Sequence, residues 1–163
     1  MTTEPRHAFD ELTAHLDHAM FVVTAASGSG RAGCLVGFGS QCSIDPPRFV
    51  AFLSDKNHTH RVALGAQLLG VHVVPEDCEA LARLFGEETG DEVDKFERCA
   101  WEPGPEGVPI LTECPDRFVG KVLDRLPVGD HTGFLLEPVS AEAGGSSFFS
   151  FQRAKEFEPG HEA

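Results

Sequence analysis

Six consecutive side chains near the middle of the chain can all donate hydrogen bonds. They are Lys56, Asn57, His58, Thr59, His60 and Arg61. The whole chain carries a formal charge of −13, so these residues form a local exception to an acidic background. Charge-assisted hydrogen bonds contribute about 1.5–3 kcal/mol each, and two or three of them would hold a phosphate firmly. The donor cluster, residues 56–61, therefore predicts a site for an anion, most simply a phosphate.

A second stretch, residues 37–43, reads GFGSQCS and carries few bulky side chains. Because glycine has no Cβ, backbone N–H groups in such a stretch can approach a ligand closely. The chain then passes a Pro46-Pro47 corner and an apolar strand predicted over Phe49–Leu53 before it reaches the donor cluster. We therefore expect the two stretches to close around one phosphate-bearing ligand.

A simpler interpretation of the donor cluster is structural. Asn57 and Thr59 are good helix caps, and a short helix is predicted over Thr59–Leu64. The remaining side chains would then only be solvated, namely Lys56, His58 and Arg61. Neither a GxGxxG fingerprint nor a P-loop occurs in the chain, so neither a Rossmann dinucleotide site nor a nucleotide triphosphatase site is indicated.

The composition limits the class of protein. With 163 residues, the chain is expected to form one domain over residues 1–163, with a frayed tail at 155–163. The 26 Asp and Glu residues against 13 Lys and Arg argue against partners such as nucleic acid or an anionic membrane surface. No run of about 18 apolar residues occurs and the polar N-terminus has no secretory core, which predicts a cytoplasmic protein.

Histidine and cysteine patterns do not predict a metal site. The chain has five cysteines and no CxxC pair, so free thiols are expected rather than disulfides or structural zinc. His15 and His18 are interpreted as part of a solvated helix face. His58 and His60 have no cysteine or carboxylate partner evident nearby in the sequence. We therefore expect no metal.

Apolar patterns predict a mainly β fold. Helices are expected over residues 5–19 and 76–85, and the acidic stretch 87–107 is expected to be irregular, with one helical turn over Val93–Phe96. Strands or short apolar segments are predicted over Phe21–Ala25, Gly33–Gly39, Phe49–Leu53, Leu68–Val74, Val108–Leu111, Phe118–Arg125, Thr132–Val139 and Ser147–Gln152. Because helices do not alternate regularly with strands, the order indicates a small barrel with helices at its margins.

Several segments resemble, in the same order, the flavin reductase-like, FMN-binding split-barrel family. The strongest pieces are residues 43–47 (SIDPP) and residues 129–131 (GDH), and residues 54–60 (SDKNHTH) lie between them in the expected order. The similarity covers about residues 9–140. It implies a six-stranded Greek-key split barrel, mainly β with flanking helices, which acts as a homodimer with the flavin near the subunit interface.

The resemblance also implies an activity and its residues. The activity is that of an NAD(P)H-dependent flavin reductase, which transfers hydride from NADH or NADPH to FMN, or to FAD. Such a protein could be the reductase component of a two-component monooxygenase. His131 would be the catalytic residue, close to the flavin or nicotinamide ring. The flavin would be held by Gly37, Phe38, Gly39, Ser40, Gln41, Ser43, Ser54, Lys56, Asn57, Thr59, His60 and Arg61.

One segment departs from the family pattern. Residues 35–39 read LVGFG where many flavin reductases have T-x-S-S-F, so the hydroxyls of that motif are missing, although Ser40 and Ser43 could compensate. Two other functions remain open: a flavin-bound electron carrier without efficient NAD(P)H turnover, and a non-catalytic split-barrel module that binds haem or another ligand. His72 is the candidate for an axial haem ligand.

Overall fold

The computed structural model describes residues 4–90 and 93–158. The helices are α1 (Glu4–His15), α2 (His58–Leu64), α3 (Glu79–Glu87) and α4 (Phe151–Ala154). The strands are β1 (Phe21–Ser27), β2 (Gly30–Val36), β3 (Gly39–Ser43), β4 (Arg48–Ser54), β5 (Leu68–Val73), β6 (Trp101–Pro103), β7 (Pro109–Leu111), β8 (Arg117–Pro127) and β9 (His131–Glu142). Two 3₁₀ turns lie at Lys95–Glu97 and Pro105–Gly107.

Seven of these strands form one open sheet in the order β2-β1-β5-β8-β9-β4-β3, and β6 pairs with β7 in a separate ribbon. The pairings in the large sheet are antiparallel. Strand β4 lies between β3 and β9, with Ala51 opposite both Gly39 and Phe134. At the end of β4, Ser54 lies opposite His131. The register therefore places the start of β9 beside the turn that leads into α2.

Two apolar clusters hold these elements in place. The first packs α2 against the sheet through buried residues such as Val62, Leu69 and Phe134. The second packs α3 and the following loop over other residues of the sheet, with Phe85 and Phe149 fully enclosed. Because each fully buried side chain of this kind contributes about 1.5–3 kcal/mol, α2 is fixed firmly on the strands that flank it.

The predicted class, mainly β with flanking helices, is confirmed, but the sheet has one strand that the sequence did not indicate. No strand was predicted over residues 39–43, which are polar and small, yet they pair with β4. They do so because β9 occupies one edge of β4 and leaves the other edge open to pairing. The sheet ends with β3 and does not close into a barrel.

The strand predicted over Ser147–Gln152 is wrong. Phe148 and Ser150 form only isolated bridges, to Pro75 and Ala19, and α4 follows directly. The preceding turn is fixed by Asp116, whose carboxylate accepts hydrogen bonds from the backbone N–H groups of residues 144–146. These bonds lower the pKa of Asp116 to about 2. After this turn the segment makes only these two bridges and then enters α4.

The two ends of the chain also differ in detail from expectation. Helix α1 ends at His15, four residues before the predicted boundary, and none of its residues is buried. Of the tail predicted to be frayed at 155–163, residues 159–163 lie outside the described part. Within the described part, Phe157 packs against Phe149, with ring centroids 5.7 Å apart. Among the described residues, every helix falls short of the length and apolarity that crossing a bilayer requires.

Candidate functional site

The donor cluster forms the turn that connects β4 to α2. Asn57 is the N-cap of α2, and its Oδ1 accepts a hydrogen bond from the backbone N–H of Thr59 at 2.8 Å. The capping predicted for Asn57 is therefore present. It does not decide between the structural and the ligand-binding interpretation, because a capping side chain can also line a site.

Thr59 points into the protein rather than to the surface. The residue is 1% exposed, and its hydroxyl hydrogen-bonds the buried thiol of Cys34. Burial raises the pKa of Cys34, while the nearby charge of Lys95 and the hydrogen bond with Thr59 act against that rise. Cys34 is therefore a protonated core thiol at neutral pH, and the Thr59 side chain ties α2 to β2.

His60 faces the opposite way, towards β9. Its Nε2 lies 3.1 Å from the Thr132 hydroxyl and 3.3 Å from Asp55 Oδ1. The Thr132 hydroxyl donates to Asp55 Oδ1 at 2.8 Å, so its oxygen accepts from His60 and Nε2 carries the proton. This network fixes the His60 ring and joins the donor turn to the second residue of β9.

His131 begins β9 beside Ser54. Its Nδ1–H donates to Asp130 Oδ1 at 2.7 Å, and its ring lies against Phe38, with centroids 5.1 Å apart. The hydrogen bond and the charge of His131 lower the pKa of Asp130, with a smaller contribution from Lys56. Lys56 is thus within electrostatic reach of Asp130, and residues 38, 56 and 131 belong to one surface region.

Strand β3 supplies backbone rather than side chains to this region. It is the last strand of the sheet, so the N–H and C=O groups on its outer edge have no strand partner among the residues that the structure describes. Its hydroxyl and amide side chains bond locally: Ser40 Oγ donates to the Gln41 carbonyl, and Gln41 Nε2 donates to the Ser43 carbonyl. An edge of this kind can hydrogen-bond the polar rim of a planar ligand.

The structure brings only part of the predicted set together. Phe38, Ser54, Lys56, His60 and His131 lie at one end of β4, together with Gly39 and Asn57 at its margin. Gln41 pairs opposite Phe49 and Ser43 opposite Arg48, five and six residues before Ser54, so they lie roughly 16 Å and 20 Å away along the strand. Gly37 lies against Met20 instead, where an added Cβ would come within 3.4 Å of the Met20 Sδ.

Arg61 lies on the other side of the α2 turn from His60. Its Nη2 donates to His58 Nδ1 at 3.1 Å. Sequence reasoning missed Asp55, Asp130 and Thr132, which orient the two site histidines. Asp55 and Asp130 directly precede predicted site residues, in SDK and GDH, and that adjacency was the available signal.

His72 does not have the free ring nitrogen that an axial haem ligand needs. The residue is completely buried, its Nδ1–H donates to the Val22 carbonyl at 3.0 Å, and its Nε2 accepts from the Leu111 N–H at 3.1 Å. Burial lowers the pKa of His72 to about 4, so the ring is neutral and structural. Among the described residues, no group of three or more His, Cys, Asp or Glu side chains could hold a metal ion.

The protein is mainly β. At one end of the β3–β4 pair it brings together backbone donors, cationic side chains and the contact between Phe38 and His131. Comparison with protein families extends this conclusion. The family model described as "Flavin reductase like domain" matches residues 13–155. The chain therefore belongs to the flavin reductase-like family, as its segments had indicated.

Individual relatives agree with this membership. The ferric-chelate reductase (NAD(P)H) of Archaeoglobus fulgidus is 28% identical over 130 residues, which cover 78% of this chain and 76% of the relative. The FMN reductase (NADH) of Bradyrhizobium diazoefficiens is 25% identical, with 84% and 76% covered. The reductase component of 4-hydroxyphenylacetate 3-monooxygenase from Salmonella typhimurium is 26% identical, with 82% and 79% covered.

Solved structures confirm the split-barrel fold class. The FMN-binding protein of Thermus thermophilus is 27% identical, superposes with a TM-score of 0.72, and is covered over 71% of its length by 78% of this chain. The NADH:FAD oxidoreductase of Streptomyces globisporus gives a TM-score of 0.81 at 21% identity, with 91% of this chain and 89% of that chain covered. The second likeness supports the fold alone.

Proposed function

We propose that the protein is an NAD(P)H-dependent flavin reductase that binds FMN and passes hydride from a reduced nicotinamide to the flavin. The observation that carries this function is the flavin reductase-like family match over residues 13–155. Relatives named for NADH- or NAD(P)H-dependent reduction support the nicotinamide donor. Those named for FMN support a flavin as cofactor or substrate.

The residues at the end of β4 fit a flavin phosphate and its sugar chain. Lys56 offers a cation, Ser54 a hydroxyl, and His60 a ring held by the Asp55–Thr132 network. Phe38 is 55% exposed and presents an apolar surface beside His131, which suits a planar ring. Residues 35–39 lack the hydroxyls of the family motif. Backbone N–H groups of β3 would therefore donate the hydrogen bonds to the edge of the flavin ring.

The remaining members of the predicted flavin set take different parts in this proposal. Gly39, Ser40, Gln41 and Ser43 would contribute backbone along the edge strand β3, whereas Gly37 precedes this strand and lies against Met20. Asn57 and Thr59 would hold the donor turn in shape, since their side chains cap α2 and bond Cys34. Arg61 would act through His58, to which it donates a hydrogen bond.

The flavin, when bound, supplies the hydride-accepting chemistry, and the protein supplies binding and orientation. Phe38 and His131 would hold two flat rings in contact and exclude water from between them. Asp130 accepts the Nδ1 proton of His131, which leaves Nε2 as the ring nitrogen available to a ligand. No acid–base triad is needed for this reaction.

We further propose that the protein works as a homodimer with the flavin near the subunit interface. Support comes from helix α1. Its apolar residues Phe9 and Leu12 are 63% and 57% exposed, and Leu16, just beyond the helix, is 53% exposed. None of the residues of α1 is buried. Its apolar stripe would be shielded from water only if another protein surface covered it. We also propose a partner monooxygenase, because two relatives are named as reductase components of monooxygenases. A cytoplasmic location is proposed from the sequence expectation alone.

A second candidate is a flavin-bound electron carrier, supported by the Thermus thermophilus relative, which is named for FMN binding. The two functions are separated by adding FMN and then NADH or NADPH to the purified protein while following nicotinamide absorbance. Rapid oxidation supports the reductase, and FMN binding without oxidation supports the carrier. If FMN at micromolar concentrations changed neither protein fluorescence nor melting temperature, both would be wrong.

A further inference from the structure

Asp55 lies between the two ends of the proposed flavin site. It follows Ser54, the last residue of β4, and it precedes the donor cluster. Ser54 in turn lies opposite His131, the first residue of β9. Asp55 is absent from the set of residues predicted to bind the flavin, and the proposed reaction gives it no part. Its hydrogen bonds nevertheless reach both residues that flank His131.

The first of these bonds comes from the backbone of Asp55. Its N–H donates to the carbonyl of Asp130 at 2.9 Å, which extends the pairing of β4 with β9 one residue beyond the strand. The side chain of Asp130 accepts the Nδ1 proton of His131 at 2.7 Å. The backbone that carries this carboxylate is therefore fixed to the end of β4.

The second bond goes to the carboxylate of Asp55. Its Oδ1 accepts a hydrogen bond from the hydroxyl of Thr132 at 2.8 Å, and His60 Nε2 lies 3.3 Å from the same oxygen. Thr132 is buried and donates its one hydroxyl proton to the carboxylate, so towards His60 the hydroxyl can only accept. One oxygen of Asp55 thus holds the residue after His131 and the ring of His60 in a fixed relation.

Strand β4 also fixes the second ring at the reacting end of the site. The N–H of Phe52 donates to the carbonyl of Phe38 at 2.8 Å, shortly before Asp55 in the same strand and turn. The contact between Phe38 and His131 therefore depends on two attachments to one strand. Hydride transfer between flat rings requires reacting atoms about 3–3.5 Å apart, so a small displacement of His131 would slow it.

We propose that Asp55 is a positioning residue of the flavin reductase reaction, which couples the His60 ring at the sugar–phosphate end of the site to the orientation of His131 at the reacting end. This inference rests on the proposed function, since it gives Asp55 a part in that reaction. The carboxylate acts through His60 and Thr132 and not by contact with the flavin. Its loss should therefore slow hydride transfer more than it weakens flavin binding.

The test compares Asp55→Ala with Asp116→Ala as the matched control. Asp116 is a structural carboxylate that binds the backbone of residues 144–146, at the far end of the β8–β9 pair from Thr132. FMN affinity is measured by titration, and the rate of flavin reduction at saturating FMN and nicotinamide by stopped flow. We expect Asp55→Ala to reduce flavin about tenfold more slowly with FMN affinity within about threefold of wild type, because the reacting groups are displaced. Asp116→Ala should keep the wild-type reduction rate.

Two further variants separate positioning from a folding defect. Thr132→Val removes the hydroxyl and keeps the shape of the side chain, so it should slow flavin reduction as Asp55→Ala does. The double variant should be no slower than either single variant, because all three break the same connection. Asp55→Asn keeps an oxygen that accepts from Thr132 and should recover most of the lost rate. Additive losses, or equal reduction rates for Asp55→Ala and Asp116→Ala, would overturn the proposal.

Failure of the proposed function would look different, since the wild-type protein would then oxidise neither NADH nor NADPH in the presence of FMN. Nuclear magnetic resonance still decides the positioning in that case. At alkaline pH, where the His60 ring is neutral, its proton should be on Nε2 in the wild type. In Asp55→Ala the Thr132 hydroxyl is released to donate to Nε2, so the proton should move to Nδ1. The nuclear Overhauser contact between the Phe38 and His131 rings should weaken in the same variant. The proposal is refuted if either the tautomer or this contact is unchanged.

Discussion

His131 and Phe38 lie in contact, with their ring centroids 5.1 Å apart and their planes inclined by 47°, although they are far apart in sequence. The contact joins the start of β9 to the residue before β3, and it exists because β4 pairs with both strands. A ring inserted at this point would meet an apolar face and an oriented imidazole together. The contact is therefore where we place the reacting end of the flavin.

The first prediction concerns His131. His131→Ala should lower the rate of flavin reduction roughly ten- to hundredfold, because a positioned polar group is lost, while FMN affinity changes little. Stopped-flow measurement of flavin reduction with bound FMN tests this directly. His7→Ala, which alters an exposed histidine on α1, serves as the control. An unaltered reduction rate in His131→Ala would remove this residue from the mechanism.

The second prediction separates two residues of the donor cluster that the sequence treated alike. Lys56→Ala should weaken FMN binding up to about tenfold, because a charge-assisted contact to the phosphate is lost. Thr59→Val should leave FMN affinity nearly unchanged and lower the free energy of unfolding by about 1 kcal/mol, since the buried hydroxyl bonds Cys34. Fluorescence titration and urea denaturation measure the two effects.

Lys121→Ala provides the control for charge, because Lys121 is an exposed lysine on β8. Equal FMN affinities for Lys56→Ala and Lys121→Ala would show that the donor turn does not hold the phosphate. A Thr59→Val protein that unfolds normally but loses FMN would instead assign the hydroxyl to the ligand.

The third prediction addresses the proposed homodimer. Replacing Phe9, Leu12 and Leu16 together by serine should convert dimers into monomers, because these exposed apolar side chains would no longer be covered by the second subunit. Light scattering coupled to size-exclusion chromatography gives the mass. Arg6→Ser, at a highly exposed position of the same helix, should leave the mass unchanged. A wild-type protein that elutes as a monomer would contradict the proposal outright.

Much of the fold follows from local patterns in the sequence. The hairpin of β1 and β2, the cap of α2 by Asn57 and strand β4 were all predictable, because apolar runs and turn residues fix them locally. Strand β3 was not, since the segment GSQCS has no apolar alternation and pairs only because one edge of β4 is open. Residues 147–152 were misassigned because Asp116, about 30 residues earlier, directs the preceding turn.

The site was predictable in its residue types but not in its connections. The contact of Phe38 with His131 and the bonds among His60, Thr132 and Asp55 depend on the register of β4 against β9. That register is set by long-range pairing, which no local pattern encodes. For the same reason the sequence could not show that Thr59 turns inward or that Lys95 is buried.

The last prediction uses the buried ring of His72. Its pKa is about 4 in the folded protein against an ordinary value of 6.5, so between these values the unfolded chain binds the additional proton. Stability should therefore rise with pH across this window: the contribution is complete above pH 6.5 and is lost as the pH falls towards 4. The slope is about 1.4 kcal/mol per pH unit, which amounts to roughly 3 kcal/mol in total.

Urea denaturation of the wild type and of His72→Leu at pH 7, 6 and 5 tests this coupling. His72→Leu should be less stable at pH 7 by roughly 2–4 kcal/mol, because the Val22 carbonyl and the Leu111 N–H lose their partner in the interior. Its stability should also fall less steeply with acid than that of the wild type. His7→Ala should keep the wild-type slope, since that histidine is exposed. Parallel pH profiles for the wild type and His72→Leu would mean that His72 already carries its proton in the folded protein.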